Sequence, residues 1–423
     1  MSESVEWFKR RRYLHFDLPT SASAAVAITG NPSVVARHAF YPFIQFTVTS
    51  RKVKWDKLTK RLVTIEKERP VSYASHVDSH IYAYYASVLS EHYENHLKEV
   101  EYQASVLAFR KLGKSNIEFA KDAFDAIKEM SGADVIAADI SDFFGSLNHK
   151  ILKASWAKIL KTKELPGDHY NVFKSLTRFT WVDKNNLYKC LGISVHNPRG
   201  SGPRICEPEI FRTVVRKLGL IQRNMTDKGI PQGSPISALL SNIYMTDFDQ
   251  AMWTSVASMG GKYFRYCDDM LIIAPEGKGK ESMQLARELA DLYALPLHPK
   301  KTEERFFTSS SGKLLADKPL QYLGLVFDGQ QVSLRSASLA RYSERMKRGV
   351  RLARVTMRAR NTLRVERGES PRPLYKGKLY RRYSYLGRRN FVSYAIRAAN
   401  ILNENAIKRQ VKPLWKRLRN QMK

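Results

Sequence analysis

Apolar residues between 55 and 130 recur mainly with helical spacing, which predicts that this region is mostly helical. Within residues 55–130, apolar positions at i, i+3 and i+4 predict one helix through residues 81–89 and a second through residues 119–127. Residues 134–140 are a short apolar run, which predicts a buried strand. The pattern therefore predicts a helical lobe that leads into a sheet.

The second half of the chain alternates short apolar strands with helices. Residues 263–266 and 270–274 predict two strands in the same sheet as the first, residues 282–293 an amphipathic helix, and residues 321–327 an extended segment. After Ser333 the helical pattern returns, and arginines separate the residues of an apolar stripe: Leu339, Tyr342, Met346, Val350, Ala353 and Met357. Together these elements predict an α+β protein with a helical C-terminal lobe.

Charge narrows the class of partner. The 423 residues include 71 Lys and Arg against 40 Asp and Glu, a formal net charge of +31. Residues 335–423 hold 26 of the Lys and Arg but only four acidic residues, so this lobe contributes +22. A solvated basic surface is the simpler interpretation, but the concentration of charge in one lobe favours a polyanion such as nucleic acid.

Other features exclude some classes of protein. No stretch approaches the ~18 consecutive apolar residues of a membrane-spanning helix, and the N-terminus lacks a signal-peptide pattern, so we expect a cytoplasmic protein. Cys190, Cys206 and Cys267 have neither disulfide nor zinc-ligand spacing. Residues 178–216 are rich in basic groups and are interpreted as an insertion that contacts RNA.

Adjacent carboxylates at the turn between two predicted strands are the main candidate chemistry. Asp268 and Asp269 repel each other unless a cation neutralises them, and Asp139 ends a strand that is expected to lie beside them. Mg²⁺ prefers oxygen ligands and usually shares its coordination with substrate phosphates. A solvated loop is the commoner explanation for an Asp-Asp pair taken alone.

Five segments of the chain follow one another in a defined order: 138–144 (Ala-Asp-Ile-Ser-Asp-Phe-Phe), 229–235 (Gly-Ile-Pro-Gln-Gly-Ser-Pro), 266–269 (Tyr-Cys-Asp-Asp), 297–302 and 322–324 (Tyr-Leu-Gly). In this order they resemble the motifs of reverse transcriptases, which favours a metal site over a solvated loop. The last two resemble the family's lysine motif and its primer grip. The resemblance extends over residues 134–327.

The resemblance implies a catalytic centre with two Mg²⁺ ions, for which Mn²⁺ is a substitute. Asp139 and Asp268 would hold both ions, the Ile140 carbonyl would be a further ligand, and Asp269 would complete the cluster. Lys301 would be the general acid for the departing pyrophosphate. A solvated surface lysine is the alternative for Lys301, and Lys300 competes for the role.

Three further positions match nucleotide-binding residues of the family. Phe144 lies at the sugar-gate position, where a bulky ring excludes a ribose 2′-hydroxyl and so favours dNTPs. Gln232 matches the glutamine that contacts the nucleotide, ahead of a helix over residues 237–244. Arg110 lies where the family binds the triphosphate, although a generic basic helix end explains it nearly as well.

As a fold, the resemblance implies a right-hand polymerase, an α+β protein with helical fingers, a ferredoxin-like palm and a basic helical thumb. The corresponding domains are residues 1–130 for the N-terminal region and fingers, 131–330 for the palm with a fingers insertion at about 150–225, and 331–423 for the thumb. Residues 78–82 and 109–116 look most like the bacterial defence-associated (unknown-group) reverse transcriptases, which are related to the retron and group II intron enzymes.

The resemblance also predicts a function. The protein is expected to be an RNA-directed DNA polymerase that copies a dedicated noncoding RNA in anti-phage defence, with a DNA primer or product strand and dNTPs as further partners. An RNA-binding scaffold or maturase-like protein with a vestigial palm is the alternative. Against the scaffold, a binding protein gains nothing from three carboxylates that repel each other. An RNA-directed RNA polymerase is disfavoured by Phe144.

Overall fold

The computed structural model describes residues 5–56, 59–130, 132–298 and 302–423. In chain order its helices are α1 (Ala22–Thr29), α2 (Pro32–Ala36), α3 (His76–Lys98), α4 (Asn116–Lys128), α5 (Phe143–Ser146), α6 (His149–Ile159), α7 (Gly167–Thr177), α8 (Lys184–Cys190), α9 (Pro208–Ile210), α10 (Ser237–Tyr244), α11 (Thr246–Ser258), α12 (Gly279–Leu292), α13 (Ser336–Glu366), α14 (Lys376–Tyr383), α15 (Phe391–Ile401) and α16 (Asn405–Gln421). Its strands are β1 (Phe43–Asp56), β2 (Arg61–Tyr73), β3 (Gly132–Asp139), β4 (Thr180–Asp183), β5 (Gln222–Arg223), β6 (Lys262–Tyr266), β7 (Asp269–Pro275), β8 (Glu303–Ser310), β9 (Lys313–Ala316), β10 (Leu320–Tyr322), β11 (Leu325–Phe327) and β12 (Val332–Leu334). The predicted α+β class is confirmed.

The central sheet has the strand order β6-β7-β3-β8-β9, and neighbouring strands are antiparallel. Strand β3 is apolar on both faces because the sheet separates two hydrophobic cores. Ala133 and Val135 pack in the core that includes α4 and the C-terminal helices, whereas Ile136 and Ala138 pack in the core that includes α3, α10 and α11. The three strands predicted around residues 134–140 and 263–274 therefore share one sheet, as expected.

The prediction of helix over residues 55–130 is wrong for its first part. Strands β1 and β2 form a long antiparallel hairpin, and α3 begins only at His76. Residues 61–70 of β2 are all exposed, so neither face of the outer hairpin shows the alternation of a half-buried strand. Lys67 and Arg69 are among these exposed residues.

Residues 178–216 pack against this hairpin. Strand β4 pairs in parallel with the start of β1, which places Phe43 opposite Trp181, and β5 extends the sheet further. Apolar side chains from three parts of the chain fill a small core beneath it: Leu14, Phe16, Ile44, Val182, Leu187, Tyr188, Ile193, Ile205, Phe211 and Val215. The insertion is thus an integral part of the lobe that carries the hairpin.

The C-terminal helices pack against the small sheet β10-β11-β12 and against α4. The extended segment predicted over residues 321–327 is instead a tight hairpin, which turns at Leu323 and Gly324 with φ of 47° and 90°. All residues of α13 are described, and its buried positions end at Val350. We call residues 351–372 the projecting arm, because this half of α13 and the following loop extend beyond the packed bundle.

His15 gives the N-terminal segment a predictable pH dependence. Its side chain is fully buried, and this burial lowers the pKa of His15 to about 3. In the unfolded chain the imidazole binds a proton at about pH 6.5, whereas in the folded protein it stays neutral down to about pH 3. The contribution of neutral His15 to the free energy of unfolding is therefore fully present above pH 6.5 and is lost as the pH falls towards 3. At pH 5 the loss is about 2 kcal/mol. We expect His15→Leu to remove about 2 kcal/mol of the difference in unfolding free energy between pH 7 and pH 5, measured by urea titration. An unchanged difference would contradict this assignment.

No helix in the described ranges is long and apolar enough to cross a membrane.

Candidate active site

The ends of β3 and β7 bring the predicted carboxylates together. Asp139 is the last residue of β3 and lies directly opposite Asp269, the first residue of β7. The Ile140 N–H donates to the Asp268 carbonyl oxygen at 3.1 Å, which flanks this pair and makes it a non-hydrogen-bonded pair. Side chains approach most closely in such pairs, so backbone pairing alone places two carboxylates side by side.

Asp268 lies in the two-residue turn between β6 and β7. Tyr266 pairs with Asp269, and Cys267 takes the left-handed conformation with φ of 60°. A residue with a side chain pays about 1–2 kcal/mol for this conformation, so the surrounding structure must hold the turn. Burial and the neighbouring Asp268 raise the pKa of Cys267 to about 12, and this side chain is therefore a neutral thiol at physiological pH.

The donor set fits a hard divalent cation in its chemistry. Asp139 is 9% exposed, Asp268 is half-buried and Asp269 is exposed, so the carboxylates range from the sheet interior to solvent. Oxygen ligands of this kind suit Mg²⁺. In the part of the chain that is described, no three His, Cys, Asp or Glu side chains already form a group that could hold a metal ion.

Residues 296–298 lie beside the edge of the central sheet that carries Asp139, Asp268 and Asp269, which we call the catalytic edge. The His298 N–H donates to the Asp139 carbonyl oxygen at 2.8 Å, and the Ser141 N–H donates to the Pro296 carbonyl oxygen at 2.7 Å. Lys301, the predicted general acid, follows three residues later in the sequence and lies outside the described residues.

Phe144 follows the strand that carries Asp139 and lies beside the Pro-Gln-Gly loop, residues 231–233. Its carbonyl oxygen accepts a hydrogen bond of 2.9 Å from the Ile230 N–H, which ties α5 to the loop. The Phe144 ring is half-buried, whereas the neighbouring Phe143 is only 4% exposed. Their ring centroids are 5.8 Å apart. Phe143 is therefore a core residue, and Phe144 is the aromatic side chain of this pair that has an exposed surface.

Gln232 and Gly233 join the loop to the base of the β1–β2 hairpin. The Ser72 N–H donates to the Gln232 carbonyl oxygen at 2.8 Å, and the Gln232 side chain is partly exposed. Gly233 has φ of 112°, and a Cβ there would lie 2.5 Å from the Ser72 carbonyl oxygen. Only glycine fits this approach. The helix predicted after the loop is confirmed as α10.

The Tyr-Leu-Gly segment forms the turn between β10 and β11. The Asn116 side-chain amide donates to the Leu323 carbonyl oxygen at 2.9 Å and to the Tyr394 hydroxyl at 3.0 Å, so α4 and α15 both hold the turn. Tyr322 is buried, and burial together with Asp269 raises the pKa of Tyr322 above its usual value. The neutral phenol thus lies on the interior side of the catalytic edge.

Arg110 does not line this site. Its guanidinium binds Glu94 through Nε and Nη2, each at 2.9 Å, and through Nη1 it donates to the carbonyl oxygens of Gln103 and Val106. The side chain is 1% exposed. Because protein acceptors already occupy the guanidinium, this geometry favours a structural role over the predicted clamp on a triphosphate. Lys67 and Arg69 on the hairpin are exposed, and the Arg69-Pro70 sequence gave little indication of a strand.

Residues 56–327, more than half of the chain, match the reverse transcriptase (RNA-dependent DNA polymerase) family. The chain belongs to the reverse transcriptase family. Its α+β architecture is of the kind expected for that family.

Comparison with solved structures finds two forms of apo telomerase from Candida tropicalis. The form truncated from its C-terminal domain has a TM-score of 0.43 at 14% identity, over 69% of this chain and 57% of that chain. The other form has a TM-score of 0.45 at 12% identity, over 77% of this chain and 54% of that chain. This chain thus spans little more than half the length of the telomerase chains. A comparison with curated proteins finds no match.

Proposed function

We propose that the protein is an RNA-directed DNA polymerase, a nucleotidyltransferase that copies a dedicated noncoding RNA into DNA. The observation that best supports the activity is the register of the central sheet, which sets Asp139 opposite Asp269 and hydrogen-bonds Ile140 to Asp268. Membership of the reverse transcriptase family supports the same activity.

In this proposal each of the chain's site residues has a distinct role in the reaction. Asp139, Asp268 and Asp269, with the Ile140 carbonyl oxygen, hold two Mg²⁺ ions, which when bound supply activation of the primer 3′-hydroxyl and charge stabilisation at the α-phosphate. Phe144 excludes a ribose 2′-hydroxyl, and Gln232 contacts the incoming nucleotide. Lys301 donates a proton to the departing pyrophosphate.

Primer extension tests the activity. Purified protein, a generic RNA template, an annealed DNA primer, dNTPs and Mg²⁺ are expected to give extended DNA, and EDTA is expected to stop the reaction. Mn²⁺ is expected to restore it after EDTA is removed. No extension on several generic RNA templates or on the RNA that copurifies with the protein, in either metal, would contradict the proposal.

The projecting arm supports an RNA partner. Residues 351–372 contain two glutamates and no lysine, and the arm's arginines are Arg351, Arg354, Arg358, Arg360, Arg364, Arg367 and Arg372. The helical part, residues 351–366, extends about 24 Å at 1.5 Å per residue. Arginine forks bind phosphate oxygens in pairs, so this unpacked and strongly basic helix is suited to a nucleic-acid backbone.

Neutralising one face of the arm is expected to weaken RNA binding. Arg351, Arg354 and Arg358 are spaced i, i+3 and i+7 and therefore share a face. We expect glutamine at all three to lower affinity for copurifying RNA by about tenfold and to reduce the slope of log K against log salt by about 2–3, measured by filter binding. The matched control replaces the exposed Lys280, Arg287 and Lys318 with glutamine. Equal losses in both variants would show a general charge effect instead.

The biological setting rests on the family resemblance. Residues 78–82 and 109–116 resemble segments of bacterial defence-associated reverse transcriptases, which supports a role in anti-phage defence with an RNA encoded nearby. The proposed site of action is the cytoplasm. Loss of phage protection in cells that carry an Asp268→Ala variant would support this role, and full protection by that variant would contradict it.

A scaffold with a vestigial palm is the second candidate function. The observation that favours it is the projecting arm, whose seven arginines suit RNA binding without any catalytic step. A scaffold would bind RNA through the projecting arm and would extend no primer. The primer-extension experiment therefore separates the two candidates.

A further inference from the structure

A buried ionic network that the proposed chemistry does not use lies next to the turn formed by Cys267 and Asp268, which we call the catalytic turn. Arg265 on β6 and Asp249 on α11 form an ion pair in which both side chains are 0% exposed. Arg265 donates from Nε and Nη2 to the two Asp249 carboxylate oxygens, at 2.7 and 2.6 Å. The Tyr263 hydroxyl donates to Asp249 at 2.8 Å. A buried charge is tolerated only with such complete pairing.

The remaining arm of the guanidinium reaches the catalytic turn. Arg265 Nη1 donates to the Cys267 carbonyl oxygen at 3.2 Å and to the Asn242 side-chain oxygen at 3.1 Å. Cys267 is the residue with φ of 60°, and Asp268 follows it directly. Arg265 therefore holds the strained peptide that orients the first carboxylate of the pair.

Asn242 connects the same guanidinium to α10. Asn242 is fully buried on α10, the helix that follows the Pro-Gln-Gly loop, and its amide donates to the Ala108 carbonyl oxygen at 2.9 Å. One side chain thus bridges three elements: α11 through Asp249, the catalytic turn through Cys267, and α10 through Asn242. The backbone adds to this bridge, because the Arg265 carbonyl oxygen accepts from the Leu107 N–H at 3.0 Å.

We infer that Arg265 is a positioning residue, which fixes the catalytic turn relative to α10, the helix that follows the Pro-Gln-Gly loop. This inference rests on the proposed polymerase function. Lysine cannot replace it, because the planar guanidinium directs its donors to Asp249, Asn242 and the Cys267 carbonyl simultaneously, whereas an ammonium concentrates three donors at one point. Groups that orient metal ligands typically change metal affinity or activity by 10–100-fold when they are altered.

Arg265→Lys in the full chain tests this inference, because it keeps the positive charge beside Asp249. The expected result is a loss in kcat of about tenfold or more, together with a rise of about fivefold or more in the Mg²⁺ concentration for half-maximal activity. A readout independent of turnover is Mn²⁺ binding to the complex with RNA template and DNA primer, followed by electron paramagnetic resonance, which we expect to weaken similarly. Primer–template affinity is expected to stay within twofold.

Asn171→Ala is the control, since the Asn171 side-chain amide also joins separate parts of the chain, by donating to the carbonyl oxygens of Val35 at 2.8 Å and His38 at 2.9 Å. It is expected to lower Tm as Arg265→Lys does and to leave the metal dependence unchanged. If Arg265→Lys does not fold, Asn242→Ala tests the same bridge with the ion pair intact, and a rise of about fivefold in KM for dNTPs is then expected.

The outcomes separate the inference from the proposed function. Normal kcat and normal Mn²⁺ binding in Arg265→Lys, with only a lower Tm, would overturn the positioning role while polymerase activity stands. Weakened Mn²⁺ binding in the variant, with no DNA synthesis by the native protein, would support the positioning role and overturn the polymerase. No Mn²⁺ binding by the native complex would overturn both.

Discussion

Replacing Asp268 and Asp269 together with alanine is expected to reduce primer extension by a factor of about 10³ or more, because transition-state stabilisation of several kcal/mol depends on the bound metal ions. The variant should still fold, because Asp269 is exposed and Asp268 is only half-buried. Activity is thus expected to fall much more than stability.

The matched control removes two carboxylates elsewhere on the surface. Asp122 and Asp125 on α4 form exposed ion pairs with Lys114 and Lys121. Their double alanine variant is expected to keep full activity, since exposed pairs contribute about 0–1 kcal/mol each to stability. The measurements are initial rates of dNTP incorporation on a defined RNA template and thermal unfolding. Substantial activity in the Asp268→Ala, Asp269→Ala variant would remove these residues from the catalytic centre.

Phe144→Ala is expected to admit ribonucleotides. The half-buried ring packs beside Phe143, and the hydrogen bond from Ile230 fixes the Phe144 backbone, so the ring has little freedom to make room for a 2′-hydroxyl. We expect the ratio of kcat/KM for a dNTP to that for the matching rNTP to fall by about 10–100-fold. Competing single-nucleotide incorporation of dGTP and GTP measures this ratio directly.

Phe143→Ala provides the control for this substitution. Phe143 is a core residue, and its truncation is expected to cost about 3–5 kcal/mol of unfolding free energy while the dNTP/rNTP ratio stays unchanged. A fall in the ratio for Phe143→Ala but not for Phe144→Ala would reverse the assignment of the two rings.

Three of the five strands of the central sheet, β3, β6 and β7, could be predicted from their apolar residues, whereas the largely exposed β8 and β9 were not predicted. Residues 134–140 read as a buried strand since β3 packs against a hydrophobic core on each face. The β1–β2 hairpin could not be predicted in the same way. Its outer residues 61–70 are solvated on both faces, so their pattern contains no burial signal.

Contacts between elements that are distant in sequence could not be predicted from the sequence either. The positive charge of Arg110 does not reveal whether its partner is a phosphate or Glu94, and the structure gives Glu94. The pair of Arg265 with Asp249 joins residues on a strand and a helix, and no local pattern indicates that both are buried. The carboxylates of the catalytic edge were found because their motifs are local and occur in a defined order.

The most direct test of the central claim is sequencing of the DNA made by the native protein with the RNA that copurifies with it. Labelled dNTPs and Mg²⁺ are added to the purified complex, with RNase-treated complex as the control. We predict a DNA product complementary to one abundant bound RNA, and no product after RNase treatment. RNA that remains bound while no DNA is made would contradict RNA-directed synthesis and would support the scaffold.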